Sequence, residues 1–258
     1  MGRKCREMNP YLKNLNRIEF VVTLACTGRC KHCSQGDHKG CGEHLDSKAA
    51  ADVVRRIGGS FAIESVMSFG GEPLLYPEVV SGIHRAAKEM GIPKRQLITN
   101  GFFAREPERI RQAAELLLES GVNDILVSVD AFHQETIPLE PVRLFAEAVR
   151  TEGVRLRTQP AWLVSEEDDN PYNVRTRQIL EEFERIGIAS SSGNVIFPSG
   201  NALKYLREYF DHCELPVNPY EENPMDVRAI SISPNGDTTL GGNVYRTDIL
   251  EIIEGYAP

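Results

Sequence analysis

The sequence predicts an α/β protein built on a parallel sheet, and three observations predict it. Short runs rich in Val, Ile and Phe alternate with amphipathic helical segments from residue 17 to residue 197. One of the runs, residues 124–129, is almost unbroken apolar sequence, as in a strand covered on both faces. Helix-opening prolines (Pro77, Pro107) and helix-stopping glycines (Gly58-Gly59, Gly91, Gly121) punctuate the alternation. Right-handed crossovers curl such a sheet into an open or complete barrel, with functional residues in the loops that leave the C-terminal ends of its strands.

The elements follow in order. Residues 17–24 read as the first strand, and residues 25–45 as a polar loop. Asp46 or Ser47 caps a helix through Ala49, Val53 and Ile57. Residues 63–69 form the second strand, and Pro77 opens the next helix. Residues 96–99 are a short strand, followed by a helix with Ile110, Ala114 and Leu117 on one face. After the apolar fourth strand come a helix at 142–150, a strand at 154–158, a helix at 174–185 and a sixth strand at 194–197. Beyond Phe210 the pattern changes. Residues 227–233, the turn Pro234-Asn235-Gly236-Asp237 and residues 238–240 read as a hairpin, and residues 248–253 as a short helix. The expected division is an N-terminal extension over 1–16, a core over 17–210 and a C-terminal appendage over 211–258.

Composition limits the function classes. Among 258 residues, 29 Lys and Arg oppose 37 Asp and Glu, a net charge of −8, which argues against a non-specific grip on nucleic-acid phosphates. A hydrophobic share of 41% and a charged share of 26% exclude a disordered chain. Apolar stretches such as 125–129 fall far short of the roughly 20 residues of a membrane span. The first ten residues are polar, with no signal-peptide core. The expectation is a cytoplasmic protein with no membrane or nucleic-acid partner.

The six cysteines are Cys5, Cys26, Cys30, Cys33, Cys41 and Cys213. A secreted domain disperses its cysteines in pairs, whereas three here fall within eight residues, as thiolates serving a metal do. Cys26-Thr-Gly-Arg-Cys30-Lys-His-Cys33 follows the first strand directly. Structural zinc takes four ligands, and with Cys41 and His32 nearby a zinc-binding structural or interaction module remains open. An iron–sulfur cube held by three thiolates leaves one iron open to a ligand.

The spacing resembles the CxxxCxxC signature of the radical S-adenosylmethionine (radical SAM) superfamily. Phe69-Gly70-Gly71-Glu72-Pro73, directly after the second strand, is similar to the family's GGEP motif. The resemblance covers about residues 17–200 and implies a partial (β/α)₆ barrel. It implies one [4Fe–4S] cluster on Cys26, Cys30 and Cys33, whose fourth iron chelates the amino and carboxylate groups of S-adenosyl-L-methionine. One electron from the cluster cleaves that cofactor to a 5′-deoxyadenosyl radical, which takes hydrogen from a substrate. A flavodoxin- or ferredoxin-like electron donor is implied as partner. Gly70, Gly71, Glu72 and Pro73 are implied to position the methionine end, with Glu72 facing its ammonium. Asn100, in a family-like Thr-Asn-Gly, is a further cofactor candidate. Ser128, and more weakly Asp130, are candidates for the ribose hydroxyls. Arg157, sharing a face with Gln159, is a candidate partner of the cofactor carboxylate, and a salt-bridged arginine is the competing reading. His32 occupies the usually aromatic position before the last cysteine, where the backbone contacts adenine and the side chain packs.

Other residues are candidates for contact with substrate. His133, just past the fourth strand, stands on the expected active-site side and suits proton transfer, or else is a loop histidine bonded to backbone. Cys213 and Cys41 are candidates to return a hydrogen atom to a substrate radical, or else are inert cysteines. Residues 197–201 either close over adenine or substrate or turn the chain. The acidic run 165–169 is a solvated loop or a seat for a basic peptide. The C-terminal hairpin and helix resemble a reduced SPASM or twitch domain without its cluster cysteines. That resemblance points to a peptide or protein substrate, with a small metabolite such as a nucleoside or sugar derivative as the alternative.

Overall fold

The computed structural model describes residues 9–38, 42–211, 216, 218 and 222–258, so Cys5, Cys41 and Cys213 lie outside the described residues. Strand β1 (Arg17–Val21) alternates, burying Ile18 and Phe20. It is followed by the cysteine loop and helix α1 (Ser47–Gly58), capped by Asp46, whose side chain accepts from the Ala49 amide at 2.7 Å. Next come β2 (Ser65–Phe69), a 3₁₀ turn at Pro73–Leu75, α2 (Pro77–Glu89), β3 (Lys94–Thr99), α3 (Pro107–Ser120) and β4 (Asp124–Val127). After β4 a short helix α4 (Ala131–Gln134) precedes α5 (Leu139–Val149) and β5 (Arg155–Thr158). Strand β6 (Ala161–Trp162), helix α6 (Pro171–Arg185) and strands β7 (Ala189–Ser190) and β8 (Asn194–Val195) complete the barrel region. Helices α7 (Asn201–Tyr205) and α8 (Arg207–Phe210), strand β9 (Ala229–Ile232) and helix α9 (Ile249–Gly255) end the chain.

Seven strands form one sheet in the order β7-β5-β4-β3-β2-β1-β9, every pairing parallel. The sheet has two edges, β7 and β9, and is an open, partial barrel with helices on one side. That side buries Ile18, Phe20, Val66, Leu97, Ile125 and Val127 against the helices. At about 25 cal/mol per Å² of apolar surface, this layer is the main source of stability. The period of two turns the alternate residues, including Glu19, Met67, Gln96, Asp124 and Arg157, to the other, concave side.

The structure departs from the expected elements at identifiable points. The sixth position in the sheet is held by β7, not by residues 194–197. Pro160, with no amide hydrogen, interrupts the β5 ladder, and the two-residue strands β6 and β8 pair separately beyond the break. Helices α5 and α6 begin three residues earlier than their apolar pattern suggests, because Pro141 and Pro171 lie in first turns that proline tolerates. The C-terminal hairpin forms at Ile232 and Thr238, and its first strand β9 also extends the main sheet beside β1. Helix α9 packs on α1 through Ile249, Ile252 and Ile253, Arg56 pairs with Asp248, and the Asn9 amide donates to the Ile253 and Tyr256 carbonyls. No helix among the described residues is long and apolar enough to cross a membrane.

One buried polar pair sets a pH limit on the fold. His84 on α2 is fully buried, its Nε2 sits 3.0 Å from the Ser68 hydroxyl, and its Nδ1 has no partner. Burial, and then the Arg95 charge, pull its pKa down to about 3. The folded state therefore holds His84 neutral, while the unfolded chain takes up a proton below pH about 6.5. Stability contributed here is present above pH 6.5 and lost as pH falls toward 3. In urea denaturation, moving from pH 7 to pH 5 is expected to favour His84→Leu over the wild type by about 2 kcal/mol, because only the wild type carries this loss.

Candidate active site

The site is assembled where the strands of the parallel sheet end. The chain leaving β1 carries the three cysteines: Cys30 is buried, and Cys26 and Cys33 are half-buried. Burial raises the Cys26 pKa to about 11, and burial likewise pushes the Cys30 thiol well up. As bare thiols they resist ionisation, and a cationic metal centre is the group that reverses this penalty. Two N–H groups already face the Cys26 sulfur, the Gly28 amide at 3.3 Å and Asn100 Nδ2 at 3.5 Å. Donors aimed at sulfur suit a thiolate, so the donor set fits an iron–sulfur cluster.

The backbone after β2 presses against the same loop. The Gly71 amide donates to the Thr23 carbonyl at 2.8 Å, and the Glu72 amide to the Ala25 carbonyl at 2.8 Å. A Cβ on Gly70 would lie 2.3 Å from the Thr23 oxygen, and one on Gly71 would lie 2.2 Å from the Ala25 oxygen. The two glycines are therefore required by the approach of one backbone to another. Pro73 is buried and opens the 3₁₀ turn.

Glu72 is fully buried, and its carboxylate is held by the protein: Oε1 accepts from the Leu74 amide at 2.9 Å and the Thr99 hydroxyl at 2.7 Å, and Oε2 from the Asn100 amide at 2.8 Å. Burial raises its pKa to about 7 against the lowering effect of these three bonds. In this arrangement Glu72 ties the end of β2 to the end of β3. Asn100 is also buried: Nδ2 donates to the Thr27 hydroxyl at 3.2 Å, and Oδ1 accepts from the Phe102 amide at 2.8 Å.

Past β4, Ser128 is half-buried at the strand end, its amide on the Thr99 carbonyl. Asp130 is fully buried and saturated. Its carboxylate accepts from the Phe132, His133 and Ala161 amides and from His133 Nδ1 at 2.8 Å. Burial alone would raise Asp130, but the His133 charge and hydrogen bonds hold it at about 2. His133 is thus bonded to a side chain rather than to backbone carbonyl, and its ring stands 4.8 Å from the His32 ring. Cys30, His32 and His133 offer ligand atoms within 4.8 Å of one another. Burial lowers His32 to about 4, and its ring packs on Phe132.

Arg157 is engaged by a carboxylate of the protein. Its Nη2 donates to Asp124 Oδ1 at 2.6 Å at the far end of β4, where Gln96 Nε2 also donates to Asp124. The guanidinium is drawn toward the bottom of the concave face, away from the loops that carry the cysteines, and is the salt-bridged arginine of the competing reading.

One residue in contact with the cysteine loop, His38, went unseen as a site residue in the sequence, and Asn201, at the end of the 197–201 segment, meets the same loop. His38 Nε2 lies 3.4 Å from the Cys33 sulfur, with Nδ1 at 2.6 Å from the Leu24 carbonyl. Its only sequence signal was a histidine five residues past Cys33. Asn201 donates from its amide to the Cys33 carbonyl at 2.9 Å and from Nδ2 to the Cys30 carbonyl at 3.2 Å. A Cβ on the preceding Gly200 would lie 2.3 Å from the Ser34 oxygen. Residues 200–201 therefore clasp the cysteine loop itself.

Comparison with known proteins agrees with this construction. The model of the radical SAM superfamily matches residues 20–157. The GTP 3′,8-cyclase of Clostridium perfringens (strain 13) is 24% identical over 250 residues, covering 95% of this chain and 64% of that protein. The probable GTP 3′,8-cyclase of Sulfolobus acidocaldarius is 31% identical over 255 residues, with the same coverages. The chain thus spans somewhat less than two thirds of these curated relatives. Among solved structures, anSMEcpe with bound AdoMet superposes with a TM-score of 0.58 at 14% identity, covering 93% of this chain and 80% of that one. SuiB of Streptococcus suis bound to S-adenosylmethionine gives a TM-score of 0.58 at 14% identity, over 95% and 66%. At such identity these structures speak for the fold alone. The match across more than half of the chain decides between the two readings of the cysteine loop, against a zinc module: the protein belongs to the radical SAM superfamily of enzymes.

Proposed function

We infer that this chain is a one-cluster radical SAM enzyme acting on a small polar metabolite. The observation that carries the cofactor reading is the single loop of three thiols, one of them already faced by two N–H donors, clamped between Gly70-Gly71 and Asn201. Cys26, Cys30 and Cys33 would hold the [4Fe–4S] cluster. When bound, that cluster supplies the electron that cleaves S-adenosylmethionine to the hydrogen-abstracting 5′-deoxyadenosyl radical. The protein's part is orientation and exclusion of water. Burial of Cys30 keeps solvent from the loop, Gly70 and Gly71 leave backbone edges beside it, and Ser128 offers a half-buried hydroxyl at the mouth. His133, oriented by Asp130, is the residue best placed to hold or move a proton. The electron arrives from a flavodoxin- or ferredoxin-like donor.

One feature supports a small polar metabolite over a peptide. The curated relatives that align with nearly the whole chain bear the name GTP 3′,8-cyclase. Anaerobic reconstitution is expected to give a brown protein with about four irons per chain. Dithionite and S-adenosylmethionine should then release 5′-deoxyadenosine. Incubation with deuterated nucleotides, sugar derivatives and peptides, followed by mass analysis of the 5′-deoxyadenosine, identifies the substrate. Deuterium arriving from a peptide alone would replace the metabolite reading.

A further inference from the structure

Asn100 occupies an unusual position for a residue whose motif suggests cofactor contact. Its side chain points at the cysteine loop, and both ends are used by the protein. Nδ2 reaches the Cys26 sulfur at 3.5 Å and the Thr27 hydroxyl at 3.2 Å, while Oδ1 is held by the Phe102 amide at 2.8 Å, which fixes the amide orientation. Its backbone is fixed by the buried Glu72 carboxylate, which takes the Asn100 amide at 2.8 Å and the neighbouring Thr99 hydroxyl at 2.7 Å. Thr99 Oγ1 in turn accepts from the Gly101 amide at 2.9 Å. Every polar atom between the Glu72 carboxylate and the Cys26 sulfur therefore has a partner.

We propose that Glu72 and Asn100 form one positioning unit that aims an amide donor at the Cys26 sulfur and thereby sets the reduction potential of the cluster. The inference rests on the reading that Cys26 is a cluster ligand. A cluster gains negative charge on reduction, part of it on its thiolate sulfurs. An N–H directed at such a sulfur stabilises the reduced form more than the oxidised one and raises the potential. Glu72 acts only through Asn100 and makes no contact with the sulfur.

The test is an anaerobic redox titration of the reconstituted full chain, followed by electron paramagnetic resonance, with iron content measured on the same samples. Asn100→Leu and Asn100→Asp are both expected to load iron and to lower the midpoint potential. The expected size is roughly tenfold in the reduction equilibrium, or about 59 mV for a one-electron couple. The leucine variant shows that the shift is not caused by the added charge of aspartate. Thr99→Val keeps the Asn100 side chain and every charge, removes the hydroxyl that ties Glu72 to this turn, and is expected to give a smaller downward shift, so it carries the test if neither Asn100 variant loads iron. Wild-type potentials in the iron-loaded variants, with only S-adenosylmethionine binding weakened, would overturn the proposal and make Asn100 a cofactor contact. A wild-type chain that takes up no iron fails the cluster reading instead, which the iron measurement separates from the first result.

Discussion

Replacing Gly71 with alanine is expected to lower Tm by roughly 5–10 °C and to remove most of the iron that the reconstituted protein binds. The cause is a backbone collision: the new Cβ would lie 2.2 Å from the Ala25 carbonyl oxygen and 2.7 Å from that of Leu24. Neither oxygen can withdraw easily. The Ala25 carbonyl accepts from the Glu72 amide, and Ala25 itself is one residue before the first cysteine. Relief of the clash therefore moves Cys26 away from Cys30 and Cys33. Gly255→Ala, at a helix end with nothing within 4 Å, serves as the control and should change neither Tm nor iron content. Unchanged iron and Tm in Gly71→Ala would show that the loop has slack that this packing denies.

Glu72→Leu is expected to lower Tm by roughly 10 °C, because it leaves the Leu74 and Asn100 amides and the Thr99 hydroxyl buried without their acceptor. Each abandoned buried donor costs about 1–3 kcal/mol. The same carboxyl also gives the fold a pH dependence. Burial raises its pKa to about 7, above the roughly 4.3 of an unfolded glutamate, so the folded state favours the protonated form. The stability it contributes is complete below pH about 4.3 and is lost as pH rises through 7, a span of about 4 kcal/mol. Glu72→Gln, which cannot ionise, should remove this component. Denaturant midpoints at pH 5 and pH 8 should then differ less for the variant than for the wild type. An identical pH response in both would mean that the three donors outweigh burial and keep the carboxylate ionised at pH 5.

These two residues also show what a motif does and does not disclose. Gly-Gly-Glu-Pro is visible in the chain, and so is its place after a strand, but the partners of its glycines are carbonyls of the cysteine loop some 45 residues earlier. The donors around Glu72 come from the end of β3, which no local pattern connects to it. Arg157 illustrates the converse. Its period-two position placed it on the concave face, yet the choice between a ligand and Asp124 depended on which carboxylate lay within reach across β4. His38 was invisible as a site residue, and the partner of Asn201 was not legible, for the same reason: each meets the cysteine loop only after the chain has turned back on itself.

The α/β class, the strands that carry the site and the three cysteines with their soft-metal chemistry are legible in the order of the residues. Those properties reside in short-range quantities: apolar periodicity, capping residues and the spacing of thiols along one loop. Folding in three dimensions adds that the C-terminal strand joins the main sheet, that Glu72 and Asp130 accept from internal donors, and that Asn100 faces a sulfur. A hydrogen bond is settled within about 3 Å, and residues far apart along the chain reach that distance only when the sheet has brought its strand ends together.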